Sequence, residues 1–201
     1  MSEWFNGGGN PRDKGFMFTR SGGVDLLDFT REDVNFDDIA HALGNQCRFN
    51  GHTMDFYSVA QHCVRVADLL DRRGYPLELQ LFGLLHDAGE AYLGDITVPV
   101  QRAVGADGIR DLEATILGTI CQKVFGDEAL SQDDLDVVYQ ADKDMGRIEI
   151  RDLIKESFDM VDFEDIKDEP RIGWCASARD SADLWRCHFR KLTGQLGIEV
   201  S

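Results

Sequence analysis

The sequence is short of basic side chains, with 21 lysines and arginines against 37 aspartates and glutamates and a formal net charge of -16. A broad polynucleotide-binding surface needs many cationic side chains to neutralise phosphates, so we expect no nucleic-acid polymer as a partner. No apolar run approaches the ~20 residues that cross a bilayer, and the first residues lack the basic and apolar regions of a secretory signal. We therefore expect no membrane partner either. A small anionic substrate is compatible with this charge if a metal ion supplies the positive charge locally.

Cysteines are also few. There are five, an odd number, they are widely spaced, and no Cys-x-x-Cys pair occurs. This pattern argues against a disulfide framework and against a cysteine-based zinc ribbon. We predict reduced thiols, most of them buried in or beside helices, and a reducing, cytoplasmic setting.

Only four prolines interrupt the chain, and little of it has the pattern of a β-strand. Residues 1–15 are rich in Gly and Asn and are predicted to form a flexible N-terminal tail, and residues 16–201 a single domain. Two short apolar segments, 16–20 and 24–27, flank Ser21-Gly22-Gly23 and predict a small β-hairpin. Elsewhere the 3.6-residue apolar period predicts an all-α helical bundle, with the acidic residues 159–169 as a solvated connection. The predicted helices cover residues 35–44, 57–70, 77–93, 107–125, 131–154 and 176–196.

His86 and Asp87 directly follow an apolar run, residues 81–85, and are predicted to be buried. Burying a charge without a partner is costly, and a cation is an economical partner for a carboxylate beside a neutral imidazole. At ~100° per residue, His86, Asp87 and Glu90 of one continuous helix can face a single pocket. Asp95 follows Gly94 at the end of that helix, where a loop can return it to the same pocket.

Two more residues complete a candidate ligand set. His62, taken alone, is more typical of a packed helical histidine, and Asp142 is as compatible with an exposed helix charge as with a metal ligand. Together, His62, His86, Asp87 and Asp142 offer two imidazoles and two carboxylates. That mixture suits one divalent transition-metal ion, Mn²⁺, Fe²⁺ or Co²⁺, with Zn²⁺ compatible and Mg²⁺ less suited because it disfavours nitrogen ligands.

The order His…His-Asp…Asp, in its wider context, resembles the HD-domain metal-dependent phosphohydrolases. The resemblance spans roughly residues 35–155 and is carried by the segments 46–49, 57–62, 84–96 and 141–142. It is strongest to the compact branch that contains the 5′-deoxynucleotidases and related small bacterial and phage HD hydrolases. It implies a compact HD-domain bundle, often dimeric, that hydrolyses phosphate esters of nucleotides, with a (deoxy)nucleoside 5′-monophosphate as the favoured substrate.

The resemblance also implies roles for particular residues. His62, His86, Asp87 and Asp142 match the metal ligands. Glu90 and Asp95 match the acids that position water or shuttle a proton, and we favour Asp95 as the donor because it is expected to lie further from the metal. Arg48 matches the residue that contacts the substrate phosphate. Phe49 stands where the deoxynucleotidases have Trp, and Gln61 where they have Glu, so deoxyribose selectivity is left open.

His52 follows Arg48 in the same loop and is a further candidate for substrate contact, although it equally fits a plain loop histidine. A deoxynucleoside triphosphate hydrolase and a non-catalytic metal-binding regulatory domain are alternative functions. Few basic groups, namely Arg48, Arg65 and Lys143, are available for a triphosphate, and the acids Glu90 and Asp95 argue against a non-catalytic role. A di-iron oxygenase would need more histidine ligands than the motif region offers.

Overall fold

Helices form most of the structure, a computed structural model that describes residues 15–105, 107–126, 130–154 and 161–200. The all-α class with a small N-terminal hairpin is therefore confirmed. The predicted flexible tail lies outside the described residues, except for Gly15. The strands are β1 (Phe16–Phe18) and β2 (Gly23–Asp25), and the helices are α1 (Phe36–Asn45), α2 (Val59–Arg72), α3 (Leu77–Leu85), α4 (Glu90–Leu93), α5 (Val98–Val104), α6 (Asp107–Phe125), α7 (Gln132–Leu153) and α8 (Ala178–Leu196).

The hairpin is attached to α1 through one carboxylate. β1 and β2 pair antiparallel with Met17 opposite Val24. The Ser21 hydroxyl and backbone N–H both donate to Oδ2 of Asp38, at 2.5 and 3.1 Å. The strands are shorter than predicted, but the turn lies where the glycines indicate.

Helix starts follow the capping residues. Asn35 accepts hydrogen bonds from the backbone of Asp37 and Asp38 at the start of α1, and Ser131 forms a capping box with Asp134 at the start of α7. Ser58 and Ser177 cap α2 and α8, which begin two residues inside their predicted starts. These helices begin where a short polar side chain satisfies free backbone N–H groups.

The continuous helix predicted over residues 77–93 is wrong, because a turn at residues 86–89 separates α3 from α4. There the backbone N–H of Ala88 donates to the carbonyl oxygen of Leu85 at 2.7 Å. The backbone N–H of Glu90 donates to the carbonyl oxygen of Asp87 at 3.0 Å. These bonds reach back three residues rather than four. Gly89 lies in contact with α6, since a Cβ there would be 3.4 Å from the carbonyl oxygen of Glu113.

Three other segments differ from the sequence prediction. α5 was not predicted, because it is short and buries no side chain, so it has no apolar stripe to detect. Residues Arg48–Gly51 form a 3₁₀ turn in which Phe49 and Asn50 have left-handed backbone angles, with φ of 54° and 51°. Residues 159–160 of the acidic connection lie outside the described residues, and the part from residue 161 is not wholly solvated, since Ile166 is buried in a 3₁₀ turn, Glu164–Ile166.

The core places α2 against α3, α7 and α8. Trp185 of α8 is fully buried, stacks on Phe189, and donates its indole N–H to the carbonyl of Leu84 at 3.1 Å. α2 and the end of α3 are thereby fixed from one side, while α7 packs on α2 from another. The predicted ligands lie on α2, on α7 and directly after α3.

The five cysteines are all free thiols, as predicted, although Cys47 and Cys187 are exposed rather than buried. Among the helices of the described residues, none combines the length and the apolar character needed to cross a membrane.

Candidate metal centre

Four side chains converge from three parts of the fold: His62 on α2, His86 and Asp87 in the turn after α3, and Asp142 on α7. The two imidazole Nε2 atoms are 3.3 Å apart. Oδ1 of Asp142 lies 3.1 Å from Nε2 of His62 and 3.7 Å from Nε2 of His86, and the Asp87 carboxylate lies 3.6 and 3.2 Å from the same two atoms. Ligands at about 2.1 Å on adjacent coordination positions lie roughly 3 Å apart. The spacing therefore fits a single ion.

Both imidazole rings are oriented by an acceptor on the far side. Nδ1 of His86 lies 2.8 Å from the carbonyl oxygen of Gly83, and Nδ1 of His62 lies 2.6 Å from Oε1 of Glu149. Because a carbonyl or carboxylate oxygen accepts, each Nδ1 carries the proton, which leaves the Nε2 lone pairs for the centre of the cluster. Histidines that bind metals are oriented in this way.

The charges around the cluster favour a cation. Burial opposes the charged form of both imidazoles, yet Glu149 and Asp142 raise the pKa of His62, and Asp87 and Asp142 raise the pKa of His86 well above its usual value. Burial would likewise raise the pKa of Asp87 and Asp142, but the imidazoles lower both. A cavity wall with this excess of acceptors is suited to a metal ion.

Cys63 offers a second ligand set, since its thiol lies within ligand distance of His86 and Asp87. Its side chain is fully buried, and burial together with the nearby carboxylates raises the pKa of the thiol well above its usual value. A thiol binds metal as thiolate. The two imidazoles and two carboxylates are therefore the better donor set.

A cavity of about 610 Å³ opens beside the cluster. The three residues predicted to contact substrate, Arg48, Phe49 and His52, line it, and so do the two predicted catalytic acids, Glu90 and Asp95. The nine predicted ligand, catalytic and substrate-contact residues thus lie at the cluster or in the adjoining cavity, whereas Arg65 and Lys143 do not line it. Their roles stay predictions.

Three acids of the cavity that lie outside the cluster are shifted toward their protonated forms. Burial, reinforced by the charges of Asp87 and Asp95, raises the pKa of Glu90 to about 10. Burial also raises the pKa of Asp95 and of Glu113, a residue of α6. Glu90 is the acid that holds a proton most firmly near neutral pH, whereas the sequence favoured Asp95 as the proton donor.

Arg48 is fixed at the cavity by two carboxylates. Its Nε donates to Oε2 of Glu149 at 3.1 Å, and its Nη1 lies 3.4 Å from Oδ2 of Asp87. The guanidinium also lies 5.6 Å from the ring centroid of Phe49. The left-handed backbone at Phe49 and Asn50 turns this segment along the cavity wall.

Sequence reasoning missed Glu149 and Glu113. Glu149 follows Asp142 by seven residues on α7, two helical turns, so the two share a face, and that spacing is the signal that could have identified it. Glu113 has no comparable signal, because it reaches the cavity through the packing of α6 against the turn at residues 86–89.

No family model matches the chain. It is 46% identical over 72 residues to the uncharacterized protein YfdR of Escherichia coli. These aligned residues make up 36% of this chain and 38% of that protein. It is 45% identical over 86 residues to the uncharacterized protein RCAP_rcc00048 of Rhodobacter capsulatus. These aligned residues make up 41% of this chain and 44% of that protein. The chain thus matches about two fifths of the length of these curated relatives, and their names assign no function.

Proposed function

We propose that this chain is a metal-dependent phosphohydrolase that acts on (deoxy)nucleoside 5′-monophosphates, as its resemblance to the HD-domain enzymes implies. One observation carries the proposal. The ligand atoms of His62, His86 and Asp142 lie close enough together to hold one ion, and the Asp87 carboxylate lies 3.2 Å from Nε2 of His86, beside a cavity that Arg48 also lines. A cation site beside a guanidinium suits a phosphate ester.

The donor set fits one Mn²⁺, Co²⁺, Fe²⁺ or Zn²⁺ ion better than Mg²⁺, because two of the donors are imidazole nitrogens. When bound, such an ion would supply a nucleophile from water near neutral pH and offset the charge of the phosphoryl group. The buried acceptors Glu149 and Gly83 keep both imidazoles in the tautomer that this binding requires.

Arg48 is assigned to the phosphoryl oxygens. Its Nε and Nη1 are directed to Glu149 and Asp87, so the guanidinium keeps Nη2 to meet an oxygen of the substrate. A planar guanidinium held on one edge is already oriented for this contact, which lowers the conformational cost of binding phosphate.

Glu90 is assigned to proton donation. The leaving 5′-oxygen of the nucleoside needs a proton, and Glu90 is the cavity acid whose pKa is raised furthest, to about 10. Asp95, also in the cavity wall, is assigned to orient the attacking water. Asp95 as proton donor is the competing assignment.

The charges of the cavity favour a monophosphate over a triphosphate. Arg48 is the one Lys or Arg among its described lining residues, whereas five acids line it: Asp87, Glu90, Asp95, Glu113 and Asp142. Each further phosphate of a longer substrate adds negative charge, and the described lining offers no second guanidinium or ammonium to offset it. The apolar side chains of Ile96, Val98, Pro99 and Ile154 offer a wall for a nucleobase. A homodimer and a cytoplasmic location stay predictions.

The test is metal-stripped protein reloaded with Mn²⁺, Co²⁺, Zn²⁺ or Mg²⁺ and incubated with ribo- and deoxynucleoside mono-, di- and triphosphates. We expect phosphate release from monophosphates with Mn²⁺ or Co²⁺. Triphosphate release from deoxynucleoside triphosphates would favour the alternative hydrolase instead. Metal binding without turnover of any nucleotide would favour the regulatory domain, and absence of metal binding would refute the proposal.

A further inference from the structure

A single buried carboxylate contacts both the candidate metal ligands and the candidate phosphate-binding residue. Glu149 has no exposed surface. Its Oε1 lies 2.6 Å from Nδ1 of His62, and its Oε2 accepts from Nε of Arg48 at 3.1 Å. Each carboxylate oxygen therefore accepts a hydrogen bond from a different residue of the site.

A buried carboxylate on α7 can form an ion pair without contacting the candidate site. Asp144, two residues after Asp142 on the same helix, is also buried and pairs with Nη1 of Arg73 at 2.8 Å, away from the cluster. A buried carboxylate is costly unless its oxygens are satisfied. Glu149 meets this requirement with one imidazole, one guanidinium and the hydroxyl of Tyr57, so its orientation and that of the imidazole and the guanidinium depend on each other.

We propose that Glu149 is a positioning residue that fixes the His62 tautomer and the Arg48 guanidinium together, and so couples metal affinity to phosphate affinity. The inference rests on the proposed function and assigns a positioning role to one further residue of that site. With Nδ1–H of His62 donated to Oε1, the Nε2 lone pair faces the cluster. With Nε–H of Arg48 donated to Oε2, the rest of the guanidinium faces the cavity.

The chemistry of the side chain predicts which replacement fails. Glu149→Gln has nearly the same shape, but an amide offers one acceptor oxygen and one NH₂ donor. Three donors face it, from His62, from Arg48 and from the Tyr57 hydroxyl, so an amide leaves at least one N–H of His62 or Arg48 facing another donor. Glu149→Asp keeps two acceptor oxygens on a side chain that is shorter by one methylene.

The first measurement follows the Nδ1 proton of His62 by NMR of ¹⁵N-histidine-labelled protein, both metal-free and loaded with Zn²⁺. In the native chain we expect a protected, downfield-shifted proton on Nδ1. In Glu149→Gln we expect that signal to be lost or to move upfield. Asp144→Asn is the matched control, since it removes a buried carboxylate from the same helix, and we expect it to lower stability and leave the signal unchanged.

The second measurement is calorimetric titration with Mn²⁺, together with KM for a nucleoside 5′-monophosphate. Loss of the partner that orients a metal-bound histidine typically weakens metal binding about 10- to 100-fold. We expect a loss of this size, and a raised KM, in Glu149→Gln, and a partial recovery of both in Glu149→Asp. Asp144→Asn should bind Mn²⁺ as the native chain does.

Glu149→Gln that keeps both the proton signal and the native Mn²⁺ affinity would overturn the inference while leaving the proposed function intact. If the glutamine variant does not fold, Glu149→Asp decides the question: we expect its Nδ1 proton signal and its Mn²⁺ affinity to be weakened but not lost, and native values of both would overturn the inference. Glu149→Asp that is no better than a folded Glu149→Gln would overturn it as well. A native chain that hydrolyses no nucleotide would instead defeat the proposed function, and the proton signal would still establish or exclude the role of Glu149.

Discussion

Oδ1 of Asp142 lies 3.1 Å from Nε2 of His62, although the two residues come from helices that are far apart in sequence, α7 and α2. The contact is made inside a cluster in which two further groups, His86 and Asp87, present their own ligand atoms. Acceptor atoms this close repel one another unless a proton or a cation lies between them. The contact therefore gives the first test of the metal centre.

Asp142→Asn is expected to weaken Mn²⁺ binding by at least about 100-fold, since the effect of losing a ligand should exceed that of losing its hydrogen-bond partner. The amide keeps the shape but loses the charge that the cation needs. Calorimetric titration with Mn²⁺ measures the change. Asp144→Asn, on the same helix and directed at Arg73, is the control and should bind Mn²⁺ normally. Equal affinities in the two variants would contradict the assignment of Asp142.

Local chemistry was enough to predict most of the fold. Asn35 and Ser131 are short polar residues that precede apolar repeats and were predicted as helix starts, and each caps a helix. Ser58 and Ser177 also cap helices, although the sequence prediction placed those starts one residue earlier than the caps. The predicted helix over residues 107–125 matches α6, whose buried residues Ile116, Ile120 and Val124 follow the predicted apolar period. Such features need no knowledge of the rest of the chain.

The break at residues 86–89 could not be predicted in the same way. The apolar period of Leu81, Leu84, Ala88 and Ala91 continues across it in helical register, so the sequence alone indicates one helix. The break coincides with the close approach of Gly89 to Glu113 of α6, a contact between distant segments. The candidate ligands were nonetheless identified, because buried ionisable side chains need partners whatever their local backbone is.

Glu149 shows the limit of the same reasoning. It lies between Ile148 and Ile150, and a lone acid on a helix most often faces solvent. Its burial follows from Arg48, which belongs to a left-handed turn that the sequence did not predict. Because this partner comes from an unpredicted turn, the one signal on α7 itself is the seven-residue spacing between Asp142 and Glu149.

Arg48→Lys is expected to raise KM for a nucleoside 5′-monophosphate more than it weakens Mn²⁺ binding. A lysine ammonium is a point charge and cannot replace the planar contacts to Glu149 and to a phosphoryl oxygen. Loss of a hydrogen bond to a charged group costs roughly 1.5–3 kcal/mol, so kcat/KM should fall about 10- to 100-fold. Steady-state kinetics with Mn²⁺ checks this.

Arg73→Lys is the matched control, because Arg73 forms comparable bonds to Asp144 and Glu169 away from the cavity. It should leave KM unchanged. An Arg48→Lys enzyme with native KM would show that the guanidinium does not contact the substrate.

Glu90→Gln is expected to stabilise the metal-free chain increasingly as pH rises. Folding raises the pKa of Glu90 to about 10, mainly through burial, from an ordinary value near 4.5. Below pH 4.5 the group is protonated in both folded and unfolded states and costs nothing. Above it, the unfolded chain releases the proton and the folded chain keeps it, so the native fold loses up to about 1.4 kcal/mol per pH unit relative to the variant.

Urea unfolding of both proteins in EDTA at pH 5, 7 and 9 measures this difference. Glu78→Gln, an exposed change on α3, controls for the substitution itself. A Glu90→Gln variant whose stability follows the native curve in parallel from pH 5 to 9 would show that Glu90 ionises normally in the fold.

Gly44→Ala should destabilise the fold without changing the metal centre. A Cβ at Gly44 would lie 2.7 Å from the carbonyl oxygen of Ala178 and 2.9 Å from Cβ of Ala182, so α1 and α8 would have to separate. Overpacking of this kind costs about 1–3 kcal/mol. In contrast, a Cβ at Gly118 of α6 meets nothing within 4 Å. Gly118→Ala should therefore stabilise the chain by about 0.5–1 kcal/mol, because glycine is a poor helix former.

Urea unfolding gives both values, and Mn²⁺ titration of the folded variants should give native affinity, since α1 and α8 carry no ligand. Gly44→Ala and Gly118→Ala together distinguish an effect on packing from an effect on the metal centre. The same added methyl group should lower the free energy of unfolding at Gly44 and raise it at Gly118. A neutral Gly44→Ala would mean that α1 and α8 pack less closely than the distances to Ala178 and Ala182 indicate. A loss of Mn²⁺ affinity in that variant would mean instead that the position of α8 is transmitted to His86, through the bond from Trp185 to Leu84.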